Sequence, residues 1–118
     1  MRIEVKGRNL PVTDELREHV SRRFEKIAKQ VSELAVLEIE ISKERNPANP
    51  DNQVAEATLH LKGVTLRAKD ASRDLNHSVN LVAARLAPLA PLVAVALDLA
   101  AELVGDQVDR AAHVRRGV

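Results

Sequence analysis

The chain has 118 residues, 45% of them hydrophobic and 30% charged, with a net charge of +1; these proportions exclude wholesale disorder and fit one domain rather than two. Cysteine, tyrosine and tryptophan are absent, and Phe24 is the single aromatic. That excludes disulfide staples, thiolate catalysis and cysteine zinc sites, and it removes the usual stacking platform for single-stranded nucleic acid.

The opening residues alternate Ile3 and Val5 with Arg2, Glu4 and Lys6, the period of a half-buried strand and not of a secretory signal. Gly7, Arg8 and Asn9 supply a turn. Thr13 is the predicted N-cap of a first helix, with Asp14 and Glu15 where the helix dipole favours negative charge. Leu16, Val20, Phe24, Ile27 and Val31 then recur at spacings of four, four, three and four, which predicts one amphipathic helix of about five turns.

Three strands follow. Leu37, Ile39 and Ile41 alternate with Glu38, Glu40 and Ser42; beyond the turn formers from Asn46 to Asn52, Ala55, Ala57, Leu59 and Leu61 alternate with polar neighbours. After a reversal at Gly63, Val64, Leu66 and Ala68 alternate with Thr65, Arg67 and Lys69. Each strand is apolar on one face, as in an antiparallel α+β layer covered on one side only.

Ser72 is the predicted cap of a second helix carrying Leu75, Val79, Val82 and Leu86. Pro88 and Pro91 come next, and an interior proline costs a helix about 3 kcal/mol, so the helix should stop or kink near Ala87. Leu92 to Val104 is apolar enough for another helix, with Gly105 as its stop. The apolar stretch from Leu86 to Leu97 is shorter than the roughly twenty residues of a membrane span, which predicts no membrane partner and a cytoplasmic protein.

Charge is unevenly placed. Residues 1–85 hold fifteen of the eighteen Lys and Arg, and none falls between Leu86 and Asp109. Arg22, Lys26 and Lys29 sit at i, i+4 and i+7 on one helix stripe with Arg23 beside them, a pattern suited to phosphate contacts. The same stripe also suits a solvated face held by Glu18–Arg22 and Glu25–Lys29 pairs. A second basic set is Arg67 and Lys69 on one strand face, Arg73 at the next helix start and Arg85 along it. His19, His60, His77 and His113 have no metal-ligand spacing. No nucleophile, base and oxyanion donor converge on any pattern, so the expectation is no catalytic residue, metal, cofactor or small-molecule substrate.

The stretch Lys6-Gly7-Arg8-Asn9-Leu10-Pro11-Val12-Thr13-Asp14-Glu15-Leu16-Arg17-Glu18-His19-Val20 resembles the opening of ribosome hibernation factors, the sigma-54 modulation or ribosome-associated inhibitor family. Lys26-Ile27-Ala28-Lys29, Val54 to His60 and Gly63 to Asp70 continue the resemblance, which covers roughly residues 1–86. It implies a β-α-β-β-β-α fold similar to a double-stranded-RNA-binding domain, with two helices on one face of a four-stranded sheet. It further implies binding to the small ribosomal subunit and its rRNA at the decoding region, holding idle ribosomes inactive during starvation or stationary phase. By position, the implied rRNA contacts are Arg22, Arg23, Lys26, Lys29, Arg67, Lys69, Arg73 and Arg85.

Two departures stand out. In the family the second helix usually runs on as a basic stretch, whereas Pro88, Pro91 and Leu92 follow Arg85 here, and Asn76 replaces a common aromatic. Nothing resembles the further domain by which longer members pair two ribosomes. The expectation is therefore a ribosome-binding domain over residues 1–87 and a divergent apolar and acidic extension over 88–118. That extension is either a reading-frame shift in a GC-rich gene or a natural tail. A natural tail would pack on the sheet, self-associate through residues 86–104, or recruit another protein in place of the ribosome.

Overall fold

The computed structural model describes residues 1–100. In chain order the elements are β1 (Arg2–Arg8), α1 (Asp14–Arg23), α2 (Glu25–Gln30), β2 (Val36–Lys43), β3 (Gln53–Leu61), β4 (Val64–Ser72) and α3 (Leu75–Leu86). Residues 87–89 form a turn and residues 90–100 are helical. The strands lie in the order β1-β2-β3-β4. The sheet is mixed: β1 pairs parallel to β2, and the other pairs are antiparallel. The antiparallel layer expected from alternation is corrected at β1, because the helical crossover from β1 returns the chain to the end where it started.

Period two puts Leu37, Ile39, Ile41, Ala55, Ala57 and Leu59 on one face of the sheet, all at 0% exposure. The aliphatic stripe of α1 and α2 and the Val79, Val82 and Leu86 side of α3 complete the same cluster. α3 lies over β3 and β4, where Ala55, Ala57 and Ala68 leave room for a helix to approach closely. Burying each large side chain contributes about 1.5–3 kcal/mol, and Phe24, at 0% exposure, is the largest of them.

The single five-turn helix expected from the sequence is two helices. Thr13 is the cap, its hydroxyl accepting the Leu16 N–H at 3.1 Å, but the backbone opens at Phe24 (φ −98°, ψ 7°). Phe24 N–H still donates to the Val20 carbonyl at 3.0 Å and Ala28 N–H to the Phe24 carbonyl at 2.9 Å. The apolar stripe therefore continues across the joint, which periodicity alone cannot resolve.

Ser72 is not the cap of α3. Strand β4 runs through it, and Asp74 caps the helix, accepting the Asn76 N–H. Ser72 instead has a buried polar task. Its hydroxyl lies 2.7 Å from that of Ser78 and 2.6 Å from the Asp74 carbonyl, while Ser78 reaches the Gln53 carbonyl at 2.6 Å. This links the start of β3, the end of β4 and the first turn of α3, and buried polar groups need such partners.

The stop expected near Ala87 is present. Ala87 N–H donates to the Ala83 carbonyl, whereas Leu89 N–H reaches back only three residues, to the Leu86 carbonyl; Pro88 between them has no N–H to continue the ladder. Pro91 falls in the first turn of the next helical segment, where a missing N–H is harmless. That segment begins two residues earlier than the predicted Leu92, and the predicted end at Gly105 lies outside the described residues. The helical path Leu75–Ala100 has 26 residues, and an 18-residue stretch within it has a mean hydropathy of 1.8, enough by length and composition to cross a membrane. Its first half, however, is the core helix α3.

The predicted turn narrows to Asn9 and Leu10, with Gly7 and Arg8 inside β1. Asn9 takes a positive φ of 59°, which asparagine tolerates better than most residues. A methyl group on Gly7 would run into the Leu10 carbonyl oxygen and press on Val12 Cγ2. Gly7→Ala should therefore cost about 1–3 kcal/mol, read as a lower urea midpoint with an unchanged slope.

Candidate nucleic-acid interface

Because the apolar stripe of α1 and α2 must face the sheet, the opposite side of those helices is what solvent meets. Arg22, Arg23, Lys26 and Lys29 are all exposed there. The helix break falls between Arg22 and Lys26 and buries none of them. Of the two helix pairs that would hold this as a solvated face, Glu25–Lys29 forms at 3.3 Å. Glu18 and Arg22 make no ion pair among the described residues. Arg22 and Lys26 therefore point at solvent with no carboxylate bridged to them.

Arg23 is held. Its Nε donates to Asn80 Oδ1 at 2.6 Å, and His19 Nε2 lies 2.8 Å from the same oxygen and 3.3 Å from the Asn76 carbonyl. Both His19 contacts are acceptors, so Nε2 carries the proton. This clasp joins α1 to α3 across 57 positions of sequence. It orients Arg23 over a groove of roughly 210 Å³ that it shares with Lys26 and, from α3, with Ala83, Ala84 and Ala87. The small side chains of α3 leave the two cations accessible.

The second basic set is divided. Arg67 and Lys69 do project to the same side of β4, but that is the open face of the sheet, opposite the helices. Arg67 is paired with Thr58 and Lys69 with Glu56 across the strands. Arg67 lines a shallow pocket with Lys6, Glu38, Glu40, Glu56 and His60. Those carboxylates neutralise much of the positive potential around Arg67. Arg73 sits exposed in the two-residue turn before α3. Arg85 is exposed at the end of α3, its Nε 3.1 Å from Asp70 Oδ2.

Three basic residues carry no signal in the linear sequence. Arg8, Lys43 and Arg45 line a pocket of roughly 290 Å³ with Lys69 and one carboxylate, Glu44. They come from the ends of β1 and β2 and the loop after β2. Parallel pairing sets Arg8 against Ser42, which brings those ends together. No spacing announces it, since sheet order is needed first. Arg8 also reaches Glu40 at 3.3 Å.

Taken together, the helical side offers Arg22 and Lys26 without a bridged carboxylate among the described residues, although Asp14, Glu15, Glu18 and Glu25 are exposed on the same helices; the open sheet face offers mixed charge, and one end of the sheet is basic. Such a surface can grip phosphates through Lys and Arg but has no aromatic ring to stack a base.

Comparison with known proteins bears on the family and the fold. Residues 3–88 match the family described as sigma 54 modulation protein / S30EA ribosomal protein. A ribosome hibernation promotion factor from Picosynechococcus is 28% identical over 88 residues, covering 74% of this chain and 46% of that protein. A ribosome hibernation promoting factor from Acinetobacter guillouiae is 24% identical over 91 residues, 73% of this chain and 80% of that one. The chain thus spans under half the length of the first relative. Among solved structures, the N-terminal domain of Thermus thermophilus Protein Y superposes with a TM-score of 0.66, covering 79% of this chain and 99% of that one at 21% identity. At that identity the likeness speaks to the fold alone.

If the Asn80 clasp positions Arg23, Asn80→Ala should cost about 1 kcal/mol, because two donors lose their shared acceptor. Arg22→Ala, which breaks no bond, should stay within about 0.5 kcal/mol of the unsubstituted chain. Urea unfolding of the two variants side by side tests the contrast.

Proposed function

The chain belongs to the sigma 54 modulation protein / S30EA ribosomal protein family, and on that premise we propose that it binds the small ribosomal subunit and holds idle ribosomes inactive. The site is the decoding region, the contacts are basic side chains on rRNA phosphates, and the occasion is starvation or stationary phase. The observation that carries this reading is the exposed cation stripe of α1 and α2, with no carboxylate bridging Arg22 or Lys26 among the described residues. The names of the relatives, hibernation factors rather than enzymes, support a role in binding and not in catalysis, needing no cofactor.

Phosphate contact is sequence-independent and works by releasing counterions. It suits a protein almost without aromatic residues, which must recognise folded rRNA by shape and charge. Arg22, Arg23, Lys26 and Lys29 form the leading contact set, with Arg73 next. Arg85 joins them only by leaving Asp70, and Arg67 only by leaving its carboxylate neighbours. Lys69, with Arg8, Lys43 and Arg45, serves a second rRNA segment at the sheet end. Beyond Arg85 the chain has no basic residue until Arg110, so affinity rests on the first two helices.

Co-sedimentation with purified small subunits over a salt series tests this. Arg22→Ala, Lys26→Ala and Lys29→Ala together should weaken binding by more than about tenfold and lower the log–log salt slope by about 2–3, close to one per lost contact. Binding that is absent at low salt, or a slope unchanged by the triple variant, would remove the reading. A cytoplasmic location follows from the same proposal.

A further inference from the structure

Arg23 at the end of α1 and Lys26 at the start of α2 line one groove, which α3 completes with Asn80, Ala83, Ala84 and Ala87. No Asp or Glu lines it. Its floor is apolar, since Ile27 and Ala83 are exposed by only 2% and 7%, and charge pairing is stronger beside such a floor than in open water. The volume of roughly 210 Å³ lies below the about 300–1,000 Å³ of sites for drug-sized ligands. A small anionic group fits it. Arg22 and Lys29 stand exposed on the same helices outside the groove, so a chain of spaced anions matches the charge better than an isolated one.

Arg23 is already fixed at the groove. Its Nε is committed to Asn80, while its terminal nitrogens make no hydrogen bond or ion pair among the described residues. A side chain held in one rotamer loses less entropy on binding than a free one, and the guanidinium fork matches phosphate oxygens in geometry. Lys26 adds a second donor to the same anion. The α3 wall is small where it meets these cations. Core packing accounts for Ala83, but Ala84 and Ala87 are exposed, so the core does not require a small side chain at either position. A larger one at Ala84 would cover the approach to Arg23. We propose that this groove seats one backbone phosphate of an RNA strand, gripped by Arg23 and Lys26, and that Ala84 and Ala87 are the residues that admit it. Asn80 is the positioning residue for Arg23. The inference rests on the reading that α1 and α2 meet rRNA, and adds where one phosphate sits and what α3 contributes.

Magnetic resonance on the isotope-labelled full chain, titrated at low salt with a short RNA duplex of arbitrary sequence, reads the proposal. The Arg23 Nε–H, the Asn80 side-chain amide and the Ala84 and Ala87 backbone amides should shift together and saturate. Ala84→Leu fills the groove without changing its charge, and because Ala84 is exposed the circular dichroism spectrum and urea midpoint should match those of the parent. Its affinity for the duplex should fall roughly tenfold, the size of one lost charge-assisted contact, and the log–log salt slope should drop by about 1. Ala84→Lys, which adds a cation to the same wall, should instead bind more tightly and steepen the slope. A duplex that binds while the groove signals stay still overturns the seat and leaves ribosome binding standing. So does an Ala84→Leu chain that binds as the parent does, and so does a parent chain that no duplex shifts. Saturable shifts at the groove, in a chain that fails to co-sediment with small subunits, would support the seat and remove the ribosome reading alone.

Discussion

The rest of this structure depends on covering one apolar sheet face with almost no aromatic surface. Six aliphatic and alanine side chains of β2 and β3 need a lid, and the chain has one large ring to contribute. Phe24 sits at the joint of α1 and α2, fully buried, with the helical hydrogen bonds running through it. Everything N-terminal of β2 is oriented by that requirement. Leu16, Val20 and Ile27 face inward beside it, and the opposite side of the same helices becomes the outer surface. The cation stripe is therefore positioned by the core, not by contacts of its own.

A second consequence concerns charge. Since the helices cover one face, the other face of the sheet is left to solvent, and its side chains are those that alternate out of the core. They include Glu38, Glu40 and Glu56 as well as Lys6, Arg67 and Lys69. Net charge near zero over the chain thus conceals two different surfaces. On the helices Arg22 and Lys26 stand unbridged among the described residues although carboxylates lie along the same helices, and the sheet face interleaves both signs across neighbouring strands, which keeps an open sheet soluble without making it a strong polyanion site.

Beyond α3 the balance between core and surface changes again. Pro88 ends the helix, and the chain then resumes as a helix that is apolar on both sides. Its inner side extends the core by Ala90 and leans Ala94 and Leu97 on the end of α2. Its outer side leaves Leu92, Val95 and Leu99 exposed.

Local chemistry alone determined much of this. Period two marks all four strands, period 3.6 marks the helices, Thr13 marks a cap and Pro88 marks a stop, because each reflects sterics and hydrogen bonding within a few residues. The stripe of Arg22, Lys26 and Lys29 was legible for the same reason. What sequence could not decide was which distant groups meet. Ser72 reads as a cap but is a strand residue bonded to Ser78, Arg85 reaches Asp70 in the preceding strand, and Arg23 is held by Asn80 from another helix. Arg67 and Lys69 share one strand face, as their alternation indicates, but that face is the one opposite the helices, while Arg8, Lys43 and Arg45 gather beside Lys69 unannounced. These outcomes depend on strand order and on the parallel pairing of β1 with β2. Such pairing is set by the burial of a shared core across the whole chain, which no local period encodes.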